Sequence, residues 1–474
     1  MVQRKVVCVL AFLLTGQLLH GQSLQAMLNV ALKKLSADKQ FAHAQLSLCV
    51  VNSSTGNIVF EQNAQLGLAP ASCQKIVTSV SAYEMLGKDF RFKTYIGIDN
   101  KVTNGVLDGN LYIIGGGDPT TGSQRWAGTS ETVVLQRFLK ILKEHMIKSI
   151  KGNLICNDLG FTTNPLPGGW IWEDIGNYYG AGAWGFNWRE NQYDVTFTTG
   201  QTKGAPTKIS STRPAGVATA YQFTNEVTTG AAGSGDNAYL FTAPYHPNII
   251  ARGTVPVSSN GFTISGALPD PPAFFINTLQ QYLPENSIAL SGKVGTTSGN
   301  RQYFMLPGSA PLLIDSLLSP SLDSVNYWFL KKSVNLFGEA LVKAIAVAAG
   351  NKGETANGTD FIRAFWKKAG IPAAALKIVD GSGLSPANRI TTHALTSVLQ
   401  YARKQSWFNG FYNALPEING IKMKDGYISG VRSYTGYVTN RSGEKLTFAF
   451  IVNNFDGSPA EARIKMWKVL DLLK

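Results

Sequence analysis

The sequence predicts an α+β fold: helices packed on an antiparallel sheet, in a domain made discontinuous by a large, mainly β insert. Three observations carry this reading. Helical periodicity is concentrated near the two ends of the chain. The long middle stretch is cut into short apolar runs by Asn-Gly and Gly-rich turns. Helix-plus-strand texture then returns after about residue 308. A chain of 474 residues exceeds one ordinary core, and length alone suggests about three domains. Charged residues make up only 15% of it, which argues against long disordered tails.

Residues 1–22 read as an export signal. Arg4 and Lys5 form a positive start, and the apolar run Val6 to Leu14 is too short to span a bilayer. Cleavage is expected near Gly21, with an uncleaved anchor as the alternative. Residues 23–90 are expected to begin the main domain. Leu24, Met27, Leu28, Ala31, Leu32 and Leu35 predict a helix over 24–40. Leu46, Leu48 and Val50 alternate, Ser53 to Gly56 turns, and Ile58 and Phe60 return, which predicts a hairpin. A helix then starts near Ser72, with Ile76, Val77, Val80 and Met85-Leu86 as its buried stripe.

Residues 91–307 read as the insert, in two subdomains. Phe92–Ile98 and Leu111–Ile114 are strand-like, and Val134, Phe138, Ile141 and His145 share one face of a helix. The Thr-, Gly- and Ser-rich stretch 195–300 predicts further short strands. Residues 308–474 complete the main domain. Here helices are expected from Ser333, over Thr359–Ala369 and over Ala460–Leu473. Val431–Thr439 and Leu446–Asn453 predict a hairpin.

The chemistry lies in three short motifs. Ser72-Cys73-Gln74-Lys75 places a serine and a lysine at i and i+3, on one helix face. A serine hydroxyl needs a base, and lysine is one when burial or a neighbouring cation destabilises its ammonium. Lys424 could be that neighbour. The plainer reading is a helix-capping serine with a snorkelling lysine, and about two such spacings arise by chance in this length. Ser333-Val334-Asn335 and Lys424-Asp425-Gly426 are weaker alone, reading equally as a helix cap and a hairpin turn. Gly426 would let a substrate backbone approach a strand closely. Order and position at element boundaries tie the three together. Histidine-based sites fare poorly, since no HExxH or Gly-x-Ser-x-Gly is present. No metal ligand set is read.

Together the motifs resemble those of penicillin-binding proteins and β-lactamases, hence a serine transpeptidase/β-lactamase-like domain. More text narrows the resemblance. Pro70 to Lys75, Gly109 to Pro119, Asn177 to Gly182, Asn187 to Asn191, Ser333 to Leu336 and Asp380 to Ser385 are similar to elements of the D-alanyl-D-alanine carboxypeptidase/endopeptidases. These are the class C low-molecular-mass penicillin-binding proteins, or peptidase S13 group. The long insert is also that group's mark and is absent from compact β-lactamases. The resemblance implies Ser72 as nucleophile, Lys75 as base, Ser333 coupled to Lys424 as proton relay, and Asn335 orienting the substrate amide. The N–H groups of Ser72 and Tyr427 would form the oxyanion hole. No cofactor is implied. The implied partners are peptidoglycan stem peptides, with β-lactam antibiotics as acylating inhibitors.

Two departures stand out. The third motif carries Asp425 where the group usually has Thr or Ser, whose hydroxyl helps hold the substrate's terminal carboxylate. An ionised Asp425 cannot donate and would repel that anion, unless Lys424, Arg389 or Arg432 offsets it. Asn157-Asp158 stands where relatives carry an Asp facing the substrate's diamino acid. Asp425 keeps a second reading open, an impaired homologue that binds cell wall without cleaving it.

The remaining features bound the setting. A formal charge of +13 suits anionic envelope polymers or lipid headgroups, and hence peripheral membrane contact. An exported chain with no basic run interleaved with aromatics does not suit nucleic acid. Cys49, Cys73 and Cys156 are expected as buried free thiols. The aromatics Trp170, Trp172, Tyr178, Tyr179, Trp184, Phe186 and Trp188 read as packing of the insert, or as a sugar-stacking surface beside the cleft.

Overall fold

The computed structural model describes residues 23–299 and 310–474. The expected export signal lies outside them. One antiparallel sheet organises the ends of the chain, in the order Ile58–Gln62, Gln45–Asn52, Lys445–Asn453, Val431–Thr439, Ile421–Ile428 and Glu417–Ile418. The junction is Gln45–Asn52 against Lys445–Asn453, so strands almost four hundred residues apart close the sheet (Leu48 opposite Phe450).

Side-chain alternation splits this sheet between two helical layers. Leu46, Leu48, Val50, Phe448, Phe450 and Val452 share a core with Leu28, Leu32, Met466 and Val469, from the helices Leu24–Ser36 and Pro459–Leu470. Ala449 and Ile451 face the opposite layer. That layer contains Val77 and Val80 of Lys75–Leu86, Leu341 of Asn335–Ala348, and Leu395 and Val398 of Thr392–Ala402. The fold is α+β, as read. Cys49, Cys73 and Cys156 are buried and unbridged.

The middle of the chain has its own core. Its main sheet runs Val294–Thr296, Leu154–Asn157, Leu111–Gly115, Lys93–Ile98, Leu312–Leu318. Two three-stranded sheets follow, and the helices Glu131–Glu144 and Pro271–Glu285 supply Phe138 and Phe275 to the same core.

Several expectations need correction. Leu312–Leu318 pairs antiparallel with Lys93–Ile98, so the insert's sheet runs past the expected boundary at 307. Pro271–Glu285 is helical within a stretch read as strands, because Asp270 caps it and Pro271 and Pro272 occupy the first turn, where no N–H is needed. The helix expected from Ser333 begins at Asn335. Ser333 has φ +56° and forms the left-handed link from the preceding helix, Leu322–Lys331.

Candidate active site

Ser72 lies in the short 3-10 turn Ala71–Gln74, which runs into the helix Lys75–Leu86. As its second residue, Ser72 has no intrahelical acceptor for its N–H. The turn is held from three sides. Ser433 Oγ donates to Pro70 O at 2.5 Å, and Cys73 Sγ donates to Lys424 O at 3.2 Å. From the third side, Gln74 Nε2 donates to Asp380 Oδ1 at 2.8 Å. Ala71 is buried at φ +45°. Non-glycine residues in that region cost about 1–3 kcal/mol each and cluster at functional sites. Ser333 is the other example here.

Lys75 is fully buried. Its ammonium donates to Ser72 Oγ at 2.8 Å, Asn335 Oδ1 at 2.6 Å and Ser382 O at 2.8 Å. Asn335 Nδ2 donates in turn to Tyr179 O at 2.7 Å, which fixes which way the amide faces. Burial, reinforced by the charge of Lys424, pulls the Lys75 pKa down to about 7. The carboxylates of Asp380, Glu339 and Asp425 oppose that shift.

The loop Asp380–Ser385 is the part of this site that residue reasoning gave no role. Asp380 is fully buried and accepts from Gln74, Gly383 N, Asn388, Ser385 N and Trp170 Nε1. Its neighbour Ser382 presents the carbonyl to Lys75. Glu339 accepts from Gly381 N, and burial together with the Asp380 charge pushes its pKa up. The only sequence signal was the likeness of Asp380-Gly381-Ser382-Gly383-Leu384-Ser385 to a family element.

The third motif lies on Ile421–Ile428, beside the Ser72 turn. At Gly426, a Cβ would sit 2.8 Å from both Ser72 N and Pro70 O. The glycine is therefore required by the protein's own strand-to-turn approach, where the sequence suggested room for a substrate backbone. Gly426→Ala should displace the turn and cost about 2 kcal/mol or more. Thermal melting and penicillin acylation measured together test this, with both expected to fall.

Lys424 is 1% exposed, and its ammonium donates to Asp425 O at 2.6 Å and Asp425 Oδ1 at 2.9 Å. Burial raises the Asp425 pKa, but the charge and hydrogen bond of Lys424, aided by Arg432, hold it below the usual carboxylate range. Arg389 is directed elsewhere, to Pro386 O and Asn388 O. Among the described residues no hydrogen bond joins Ser333 to Lys424. Tyr427 is 47% exposed, with the Arg432 guanidinium 5.0 Å from its ring centre.

Asn157 and Asp158 are buried in the insert. Asn157 Oδ1 accepts from Leu159 N, and Asp158 accepts from Ser298 N and Oγ. Those bonds tie both side chains into the insert's own turn. Of the seven aromatics, Trp184, Phe186 and Trp188 are buried, and the last two belong to the insert's core. Trp172 and Tyr178 are about half exposed, at 53% and 50%. Trp170 binds Asp380 Oδ2 and so couples the insert to the site.

The family model for the D-Ala-D-Ala carboxypeptidase 3 (S13) family matches residues 28–421 and 417–471. The chain belongs to that family. It is 26% identical to a D-alanyl-D-alanine carboxypeptidase of Actinomadura sp. (strain R39), over 90% of this chain and 81% of that one. It is also 26% identical to the D-alanyl-D-alanine carboxypeptidase DacB of Haemophilus influenzae, over 87% and 86%. The crystal structure of penicillin-binding protein 4 from H. influenzae has the same fold, with a TM-score of 0.77, 23% identity, and coverage of 92% of this chain and 94% of that one. That protein has also been solved with a bound β-lactam, and this second structure matches with a TM-score of 0.74. This is the S13 type of low-molecular-mass penicillin-binding protein that the motifs resembled. No helix among the described residues is long and apolar enough to cross a membrane.

Proposed function

We propose that the protein is an exported serine peptidase that cleaves D-alanyl-D-alanine, and cross-bridge bonds, in peptidoglycan peptides through an acyl-enzyme on Ser72. The three-way environment of Lys75 carries this reading. A neutral amine has two N–H donors and one lone pair. The carbonyls of Asn335 and Ser382 take the two donors, which turns the lone pair toward Ser72 Oγ at 2.8 Å. Lys75 then accepts the Ser72 proton as Oγ attacks the carbonyl of the penultimate D-alanine. The Ser72 N–H is one oxyanion donor. The turn at Ser429-Gly430 closes on Ile428 opposite Val431, so alternation points the Tyr427 N–H to the strand's other edge, beside Ser72. The proton taken by Lys75 is returned through the Ser333 hydroxyl to the leaving amine, which leaves Lys75 neutral. Asn335 orients the substrate amide, and water then adds its hydroxyl to the acyl carbon and its proton to Ser72 Oγ as the product leaves. In this reading residues 23–90 and the segment after Leu318 form the catalytic domain, and the rest is the insert.

Asp425 supports the second reading, a homologue that binds cell wall with impaired turnover, because it occupies Lys424. Release of D-alanine from a stem pentapeptide separates the two. The proposal predicts turnover whose rate rises with pH across about 7, the value for Lys75, because only the neutral amine accepts a proton. Below that value the rate should fall about tenfold per pH unit. No D-alanine release, with penicillin still bound, would favour the impaired homologue.

A further inference from the structure

We propose that Asp425 sets the leaving-group specificity of this site. It favours substrates whose leaving amine carries no free carboxylate beside the nitrogen. This rests on the Ser72 reading above. A lysine ammonium has three donors, and two of the donors of Lys424 already go to Asp425, one to its carbonyl and one to its carboxylate. A terminal D-alanine brings its own carboxylate to the same ammonium. It must then share Lys424 with Asp425 or displace it, and two carboxylates on one cation repel each other. A hydroxyl at position 425 would instead donate to the incoming carboxylate.

The surrounding charges ease this conflict without removing it, since the charge of Arg432 reaches Asp425 but, among the described residues, neither nearby arginine bonds to its carboxylate. Arg432 is 9% exposed, lies over the Tyr427 ring at 5.0 Å and donates to Tyr434 OH at 3.3 Å. Arg389 is held by Pro386 O and Asn388 O. The Asp425 side chain is 41% exposed, so its carboxylate is open to solvent. It is also next in sequence to Gly426, which packs on Ser72 N. The favoured substrates are cross-linked peptides in which the leaving amine is a lysine side chain or belongs to a diamino acid whose neighbouring carboxyl is amidated. Hydrolysis is balanced as for any amide: water supplies hydroxyl to the acyl carbon and a proton to the leaving amine.

The test uses two substrates with one acyl part, ending in D-alanyl-D-alanine or D-alanyl-D-alaninamide. kcat/KM for release of D-alanine and of D-alaninamide is measured for the wild type, Asp425→Thr and the near-isosteric Asp425→Asn. The amide-to-acid ratio should be at least about tenfold higher in the wild type than in either variant. KM for the acid should carry much of the change. Equal ratios in the wild type and a folded variant overturn the inference and leave the Ser72 reading standing. Failure of the wild type on both substrates, together with no penicillin adduct, overturns the Ser72 reading and this inference with it.

Discussion

Ser72→Ala is expected to abolish acylation by benzylpenicillin while the protein stays folded. The hydroxyl is the atom that becomes covalently bonded, so its loss removes the step instead of slowing it. The structural cost should be small. Among the described residues, Ser72 Oγ makes one hydrogen bond, to Lys75. Lys75 keeps Asn335 and Ser382, and the turn is held by Ser433, Cys73 and Gln74. Intact mass after incubation with excess penicillin reads the chemistry, and far-UV circular dichroism reads the fold. A folded variant that still gains one penicillin would place the nucleophile elsewhere.

Lys75→Ala should cut acylation by about 10²–10⁴-fold, the usual contribution of a positioned base. Lys75→Arg should be nearly as poor, because guanidinium does not deprotonate in proteins. It would also carry a fixed charge into a fully buried site that favours a neutral amine. The pH dependence sharpens the test. Burial and Lys424 lower the Lys75 pKa, so the neutral fraction grows as pH rises through about 7. The wild-type acylation rate should climb over that range, and the residual rate of Lys75→Ala should not. Stopped-flow acylation at several pH values provides the comparison. Robust acylation by Lys75→Arg would mean that the base is another group.

What was legible in the sequence follows from how local each interaction is. Ser72 and Lys75 meet because one helical turn separates them, and this is visible without a fold. The strands Gln45–Asn52 and Lys445–Asn453 show their alternation locally, although nothing local says that they pair. The Asp425 conflict was legible as charge. Which cation would answer it was not, because Arg389 and Arg432 differ only in where their backbones carry them. Ser382 was invisible as a partner of Lys75 because it acts through its carbonyl, which every residue has. Ser333 reads as a helix start, because nothing in a serine side chain announces the left-handed φ it adopts. Leu312–Leu318 reads as lying past the insert because its partner strand is more than two hundred residues earlier. The helix Pro271–Glu285 is hidden in a stretch whose composition suggests short strands, although a capping Asp270 followed by Pro271 and Pro272 is a helix start.

The most direct test of the account is where penicillin attaches. Wild-type protein is incubated with excess benzylpenicillin, quenched, weighed intact and then digested for peptide mapping. The account predicts one penicillin per chain, on the peptide that contains Ser72. No adduct, or an adduct on a peptide without Ser72, would contradict it.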